Sequence, residues 1–168
     1  MKMRSAKQIW SSFMAQIERD APVDTLSLLK SVQRWLVANP KFLDAPLRSQ
    51  YGLDTFMTMN LSEYATGASE LDPREELVQL RRVPATRVAI VAMRIRDILW
   101  SGTAFKSLKH CPNCGQDDLR VLSTLEGQIV LGCDRCVWGE TVAGEPRCGP
   151  GPVVPADAAQ LRKAGLIK

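Results

Sequence analysis

The sequence predicts an α+β protein: a helical N-terminal domain of four to six helices, followed by a small antiparallel module built around cysteines. Two observations carry this. Through the first hundred or so residues apolar side chains recur every three to four positions between Pro, Gly and Asp punctuation, the period of amphipathic helices. From Leu119 the period shortens to two, and four cysteines stand as two Cys-x-x-Cys pairs, Cys111/Cys114 and Cys133/Cys136, with the eighteen-residue interval of a tetrahedral zinc site. The boundaries fall at 1–105 for the helical domain, 106–148 for the cysteine module and 149–168 for a Gly/Pro linker with a short C-terminal helix or tail.

Helix one begins after Ser5, which forms a capping box with Gln8; Ala6, Ile9, Trp10, Phe13, Met14 and Ile17 follow at helical spacing until Ala21-Pro22 stops the run. Asp24 is a good N-cap for helix two, whose stripe of Leu26, Leu28, Leu29, Val32, Trp35 and Leu36 ends at Asn39-Pro40. Pro46 and Gly52 divide the next stretch into a short helical turn near Leu47–Tyr51 and a helix over Thr55–Ala65. Asp72-Pro73-Arg74-Glu75 opens another helix, with Asp72 as N-cap, Pro73 at the first position and Glu75 reaching back, and this one ends near Pro84. Val88, Val91, Ala92, Ile95, Ile98 and Leu99 mark the most apolar helix, which Gly102 is expected to end.

Strand signals come next. Leu119–Leu125 and Gln128–Leu131 flank Glu126-Gly127, read as a two-residue hairpin turn, and Val137–Val142 supplies a third strand. Gly149-Pro150-Gly151-Pro152 then breaks regular structure, and Pro155–Ile167 forms a short terminal helix or stays mobile. No internal repeat with a period of roughly twenty to fifty residues is present.

The composition is that of a globular chain, with 45% apolar residues and a formal net charge of +4. Such a charge is too mild to select a partner, but it is unevenly spread. Residues 1–109 carry 16 Lys+Arg against 11 Asp+Glu, 110–148 carry 3 against 6, and the tail carries 3 against 1. The cysteine module is the acidic part, and four thiolates around one Zn2+ make it more so, which disfavours phosphate binding there. No run reaches the roughly eighteen apolar residues of a membrane span, and the basic start leads into an amphipathic pattern, unlike a signal peptide. Paired Cys-x-x-Cys motifs in such a chain read as metal ligands before disulfides, so a reducing cytoplasm is the expected setting.

His110-Cys111-Pro112-Asn113-Cys114-Gly115 and Gly132-Cys133-Asp134-Arg135-Cys136-Val137-Trp138, with the hairpin between them, resemble the two knuckles of a zinc ribbon over about the last third of the chain. In that family a Gly after the second ligand lets backbone amides turn toward the sulfurs. Gly115 occupies that place in the first knuckle and Val137 in the second, which makes the second less regular. The resemblance implies zinc, in roles that range from nucleic-acid binding to subunit docking. Some ribbons resemble a transcript-cleavage factor with an Asp-Glu pair at the hairpin tip. This tip reads Thr124-Leu125-Glu126-Gly127, so the catalytic pair is absent.

Four thiolates close the coordination sphere, so one structural Zn2+ is expected, with no open position for water or substrate. No βαβ pattern surrounds either pair, which argues against a redox dithiol. His110 adjoins the first ligand and is assigned a supporting or exposed role; Cys148 is left as a spare free thiol.

Little else carries chemistry. The single histidine lies beside a knuckle, no glycine-rich phosphate loop is present, and Glu63, Glu70, Asp72, Glu75 and Glu76 read as caps and surface charge. The chain is therefore expected to be no enzyme but a binder of macromolecules, with neither a membrane nor a small-molecule substrate implied. A protein partner is favoured, in an adaptor or toxin-neutralising immunity-type role. The alternative is a nucleic-acid-binding regulator using Arg81, Arg82, Arg87 and Arg94, perched on the last two helices of the N-terminal domain. Those arginines also read as a solvated, salt-bridged face, given Glu75, Glu76 and Asp97 nearby. Trp138, just past the last ligand on a module too small to bury it easily, is expected to pack on the helical domain or to anchor a partner.

Overall fold

A computed structural model describes residues 4–66, 71–147 and 151–168. Two expectations, Cys148 as a free thiol and Glu70 as surface charge, lie outside the described residues. The fold is α+β. Helices α1 (Ala6–Asp20), α2 (Thr25–Ala38), α3 (Ala45–Gln50), α4 (Leu53–Thr58), α5 (Pro73–Arg81) and α6 (Val88–Thr103) come first. Strands β1 (Lys106–His110), β2 (Asp118–Thr124), β3 (Ile129–Gly132), β4 (Gly139–Thr141), β5 (Pro146–Arg147) and β6 (Val153–Pro155) follow, then α7 (Ala158–Lys163). The chain divides into a helical unit, Met1–Leu61 with Glu70–Gly102, and a sheet-bearing unit, Ser62–Ser69 with Thr103–Lys168.

In the helical unit the two expected caps form. Ser5 and Gln8 exchange hydrogen bonds at the start of α1, and Asp24 does the same with Ser27 at α2, so orphan amides at both helix starts are satisfied. The apolar stripes meet in a core that fully buries Phe13, Ile17, Leu28, Leu29, Val32, Leu53, Leu80, Ile95 and Leu99. Trp10, Phe13, Trp35 and Phe42 run through it as a chain of ring contacts at 5.1, 5.3 and 5.9 Å. Asp20, at the end of α1, ties that helix to α2: it accepts from Ser31 Oγ at 2.5 Å and Gln16 Nε2 at 2.8 Å, with Arg34 at 3.4 Å.

Tertiary contacts override the sequence at two helix ends. The helix expected over Thr55–Ala65 stops at Thr58, with only a 3-10 turn at Leu61–Glu63 beyond it. The Gln33 side chain, from α2, donates to the carbonyls of both Phe56 and Met59 at 2.7 Å, occupying acceptors that a continuing helix needs. Helix α5 ends at Arg81, near Pro84 as expected, but its N-cap is one-sided, Asp72 accepting from the Arg74 amide without Glu75 reaching back. Gly102 does not end α6, which runs on to Thr103. It sits against α2, where a Cβ would lie 2.6 Å from a terminal carbon of the fully buried Leu29. The glycine is there for close approach.

The sheet is antiparallel throughout and ordered β1-β2-β3-β4-β5, with β6 also on β2. A strand has two edges, and β2 gives one to β3 from Arg120 to Ser123. The other is shared end to end, β1 pairing near Asp118 and Arg120 and β6 from Leu122 to Thr124. The tail, expected to be a Gly/Pro linker with a short C-terminal helix or tail, does form a short helix, α7, and adds β6 to this unit. Ala156 and Leu161 of the tail are fully buried with Leu119 and Val121, and Gln160 Nε2 donates to Ser123 Oγ at 2.9 Å. The hairpin turn is also longer than predicted. Thr124 and Gln128 close a three-residue loop in which Gly127, at φ 79°, follows a type I turn, the arrangement of a bulged hairpin. Among the described residues no helix is long and apolar enough to cross a membrane.

Two predictions test this packing. Gly102→Ala, favourable by helix propensity alone, should destabilise the helical unit by about 1–3 kcal/mol through overpacking on Leu29, measured by urea unfolding. The hydrogen bonds from Ser31 and Gln16 hold the Asp20 carboxyl below its ordinary value of 3.8. Its stabilisation is thus complete above that value and is lost as pH falls through the lowered folded one. Asp20→Ala should cost about 2 kcal/mol at neutral pH and flatten this part of the acid-unfolding profile.

Candidate metal centre

The four predicted cysteines converge. Their sulfurs all lie within 4.8 Å of one another, with Cys111 and Cys136 at 3.4 Å and Cys114 and Cys133 at 3.7 Å. Four thiolates at the ordinary Zn–S length of about 2.3 Å stand about 3.8 Å apart at the corners of a tetrahedron, so the donor set and its spacing fit one metal ion. Cys111 and Cys133 are buried, Cys114 and Cys136 half-buried. The closest pairs each join one knuckle to the other, as a shared ion requires.

Backbone geometry explains how each knuckle turns. After β1, the Cys111 amide donates to Asp117 O at 2.8 Å and the Gly115 amide to Cys111 O at 2.9 Å, with Gly115 left-handed at φ 62°. After β3, the Cys133 amide donates to Trp138 O at 2.8 Å, the Arg135 amide points at Cys133 Sγ at 3.4 Å, and Val137 is left-handed at φ 60°. Val137 thus adopts the conformation that Gly115 adopts. The second knuckle is regular in shape, and its irregularity is strain, since a β-branched residue there costs about 1–3 kcal/mol.

Side chains lock the knuckles together. Arg135 donates to Gln116 at 2.6 Å and Arg120 to Asp134 at 3.0 Å. A hydrogen bond from the Asn113 side chain holds the Cys136 thiol down to about 6, while burial pushes Cys133 up to about 12. His110 is no ligand: it is exposed, with Nδ1 2.6 Å from Asp118, which also meets Lys106 at 3.2 Å. Behind the knuckles Glu140, only 1% exposed, meets Lys109 Nζ at 2.5 Å and accepts from the Trp138 indole at 3.3 Å. Trp138 is half-buried against the core of its own unit. That unit is larger than its cysteine span and can cover the ring.

The arginines lie on separate elements. Arg81 ends α5 and meets Glu18 at 3.3 Å; Arg82 follows it; Arg87 precedes α6 and accepts at its carbonyl from Ile90; Arg94, two turns on, lies 3.9 Å from Asp97. Arg96 meets the same Asp97 at 3.3 Å and stacks over Trp100 at 4.6 Å. Burial raises the pKa of Glu76 on α5 despite the nearby Arg94 charge.

Sequence reasoning missed Glu140, Lys109 and the second turn. The turn did have a signal. Thr124-Leu125-Glu126-Gly127-Gln128 is echoed by Thr141-Val142-Ala143-Gly144-Glu145, and both close alike: the glycine amide donates to the threonine carbonyl, and the threonine hydroxyl accepts the amide of the last residue. No family model, curated protein or solved structure matches the chain.

Relieving the strain gives a direct test. Val137→Gly exchanges an exposed side chain for an unstrained turn, so it should stabilise the sheet-bearing unit by about 1 kcal/mol, measured as a rise in its thermal midpoint.

Proposed function

We propose that the chain is a zinc-ribbon protein that acts without catalysis, holding one structural Zn2+ on Cys111, Cys114, Cys133 and Cys136 and binding a protein partner. The observation that carries the metal is the convergence of the four sulfurs within 4.8 Å from two knuckles of matching backbone shape. A closed thiolate shell supports a structural role for the ion, because it leaves no ligand position for substrate.

Support for a protein partner comes from the far end of the sheet. Strands β2 and β4 both run away from the knuckles, so the two equivalent turns that follow them lie at one end, and each raises an apolar residue into solvent. Leu125 is 74% and Val142 51% exposed. Large apolar side chains displayed together on rigid turns suit docking better than solvation. The nucleic-acid alternative draws less support, since Arg81 and Arg94 already face acidic partners.

Two measurements test this. Elemental analysis of the purified chain should give one zinc per molecule, and Cys111→Ser or Cys133→Ser should lose it. Affinity capture of the intact protein should recover a stoichiometric protein partner, and Leu125→Asp with Val142→Asp should weaken that complex about tenfold or more while zinc is retained. Salt-sensitive binding to oligonucleotides without any protein partner would overturn the reading.

A further inference from the structure

On the metal reading above, two short knuckles depend directly on the ion, whereas much of the sheet-bearing unit is built without it. Modules below about 40 residues rarely fold without a metal or a disulfide, because they bury too little surface, while many of about 55–65 residues do. The cysteine span 106–148 lies near that lower limit. The unit itself comprises Ser62–Ser69 and Thr103–Lys168, 74 residues in all.

The added segments fill its interior. Strand β6 completes the second edge of β2, Ala156 and Leu161 are fully buried beside Leu119 and Val121, and Ala65 packs at the margin. Two further ties involve no sulfur. Gln160 holds α7 to β2 through Ser123, and the Lys109–Glu140–Trp138 set fastens β1 to β4, with β2 and β3 between them in the sheet order. A buried carboxylate with both oxygens engaged resists being pulled apart, since opening it strands a charge.

The knuckles have thinner support. Among the described residues Cys111 and Cys133 reach the buried core, but the rest of each knuckle is held chiefly by a few backbone hydrogen bonds and by the pairs Arg135–Gln116 and Arg120–Asp134, and the second holds the strained Val137.

We propose that the metal is a local switch for the two knuckles and is not the support of the unit. Loss of the ion loosens residues 111–117 and 133–137, the second knuckle first because relaxing Val137 releases strain, while Trp138, the sheet and α7 stay in place. Val137 is 71% exposed, so the surface that changes is one a partner can reach. Binding at the knuckles is then gated by metal loading, whereas binding at the Leu125/Val142 end is not.

The test is hydrogen exchange of the full chain, read by mass spectrometry, with zinc bound and after chelation under reducing conditions. Chelation should lower protection about tenfold or more in peptides over 111–117 and 133–137, most in the latter, and leave β2 and α7 protected; zinc should restore the knuckles. Val137→Gly should slow zinc transfer to a chelator about tenfold and remove the difference between the knuckles. Collapse of protection in β2 and α7 together with the knuckles would overturn the switch while leaving the metal reading intact, as would knuckles that stay protected. A chain that takes up no zinc at all would overturn both.

Discussion

Four sulfurs within 4.8 Å of one another are the constraint around which the two knuckles are arranged. As thiolates, two unit charges 4 Å apart repel by about 4 kcal/mol at an effective dielectric of 20, and four of them make six such pairs. A divalent cation at the centre reverses the sign of this sum, so metal and ionised sulfurs imply one another. The protein's part is to bring the sulfurs together before the ion can act. It does so with two left-handed residues, Gly115 and Val137, and with side chains that reach from one knuckle to the other. The downward shift of Cys136 through Asn113 and the upward shift of Cys133 through burial describe one cluster in which the sulfurs do not ionise alike.

The knuckles were legible in the sequence because ligand spacing is a local property and few chemistries need four cysteines in two pairs. Helix starts were legible for a related reason, since a cap uses residues three apart in the chain: Ser5 with Gln8, Asp24 with Ser27. Helix ends were set from a distance. Nothing near Thr58 says that Gln33, in another helix, will take the carbonyls of Phe56 and Met59, and nothing near Gly102 says that Leu29 will lie against it. A glycine at the end of an apolar run has two meanings, a left-handed stop or a close approach, and only packing chooses between them.

The missing strands failed for another reason. Strand β1 has three exposed residues in five, β5 is two residues long, and β6 ends in a proline that can neither donate to a ladder nor sit in its middle. Each is a strand only because β2 or β4 offers it an edge. Glu140 was hidden too, since a charged residue in a short strand ordinarily faces water. Its burial makes sense only beside Lys109, from β1 on the far side of the β2–β3 hairpin, and the Trp138 indole, which lies just before β4.

Intramolecular ion pairs take up several basic side chains in each unit. On the helical unit Arg81, Arg94 and Arg96 meet Glu18 and Asp97, which shortens the reach of their fields and leaves little to steer a polyanion. On the sheet-bearing unit Lys109, Lys106 and Arg120 are likewise taken up by Glu140, Asp118 and Asp134. These charges are paired within the fold, while a few apolar side chains of the sheet-bearing unit stand in solvent: Leu125 and Val142 on matched turns, Leu108 on β1 and Val137 on a strained knuckle. On the proposed function such side chains would discriminate by fit, which lasts only while the turns keep their form. Each turn is closed at its base by a backbone amide donating to a threonine hydroxyl, Gln128 to Thr124 and Glu145 to Thr141, and Thr124 is itself buried, so the form is held from within the sheet.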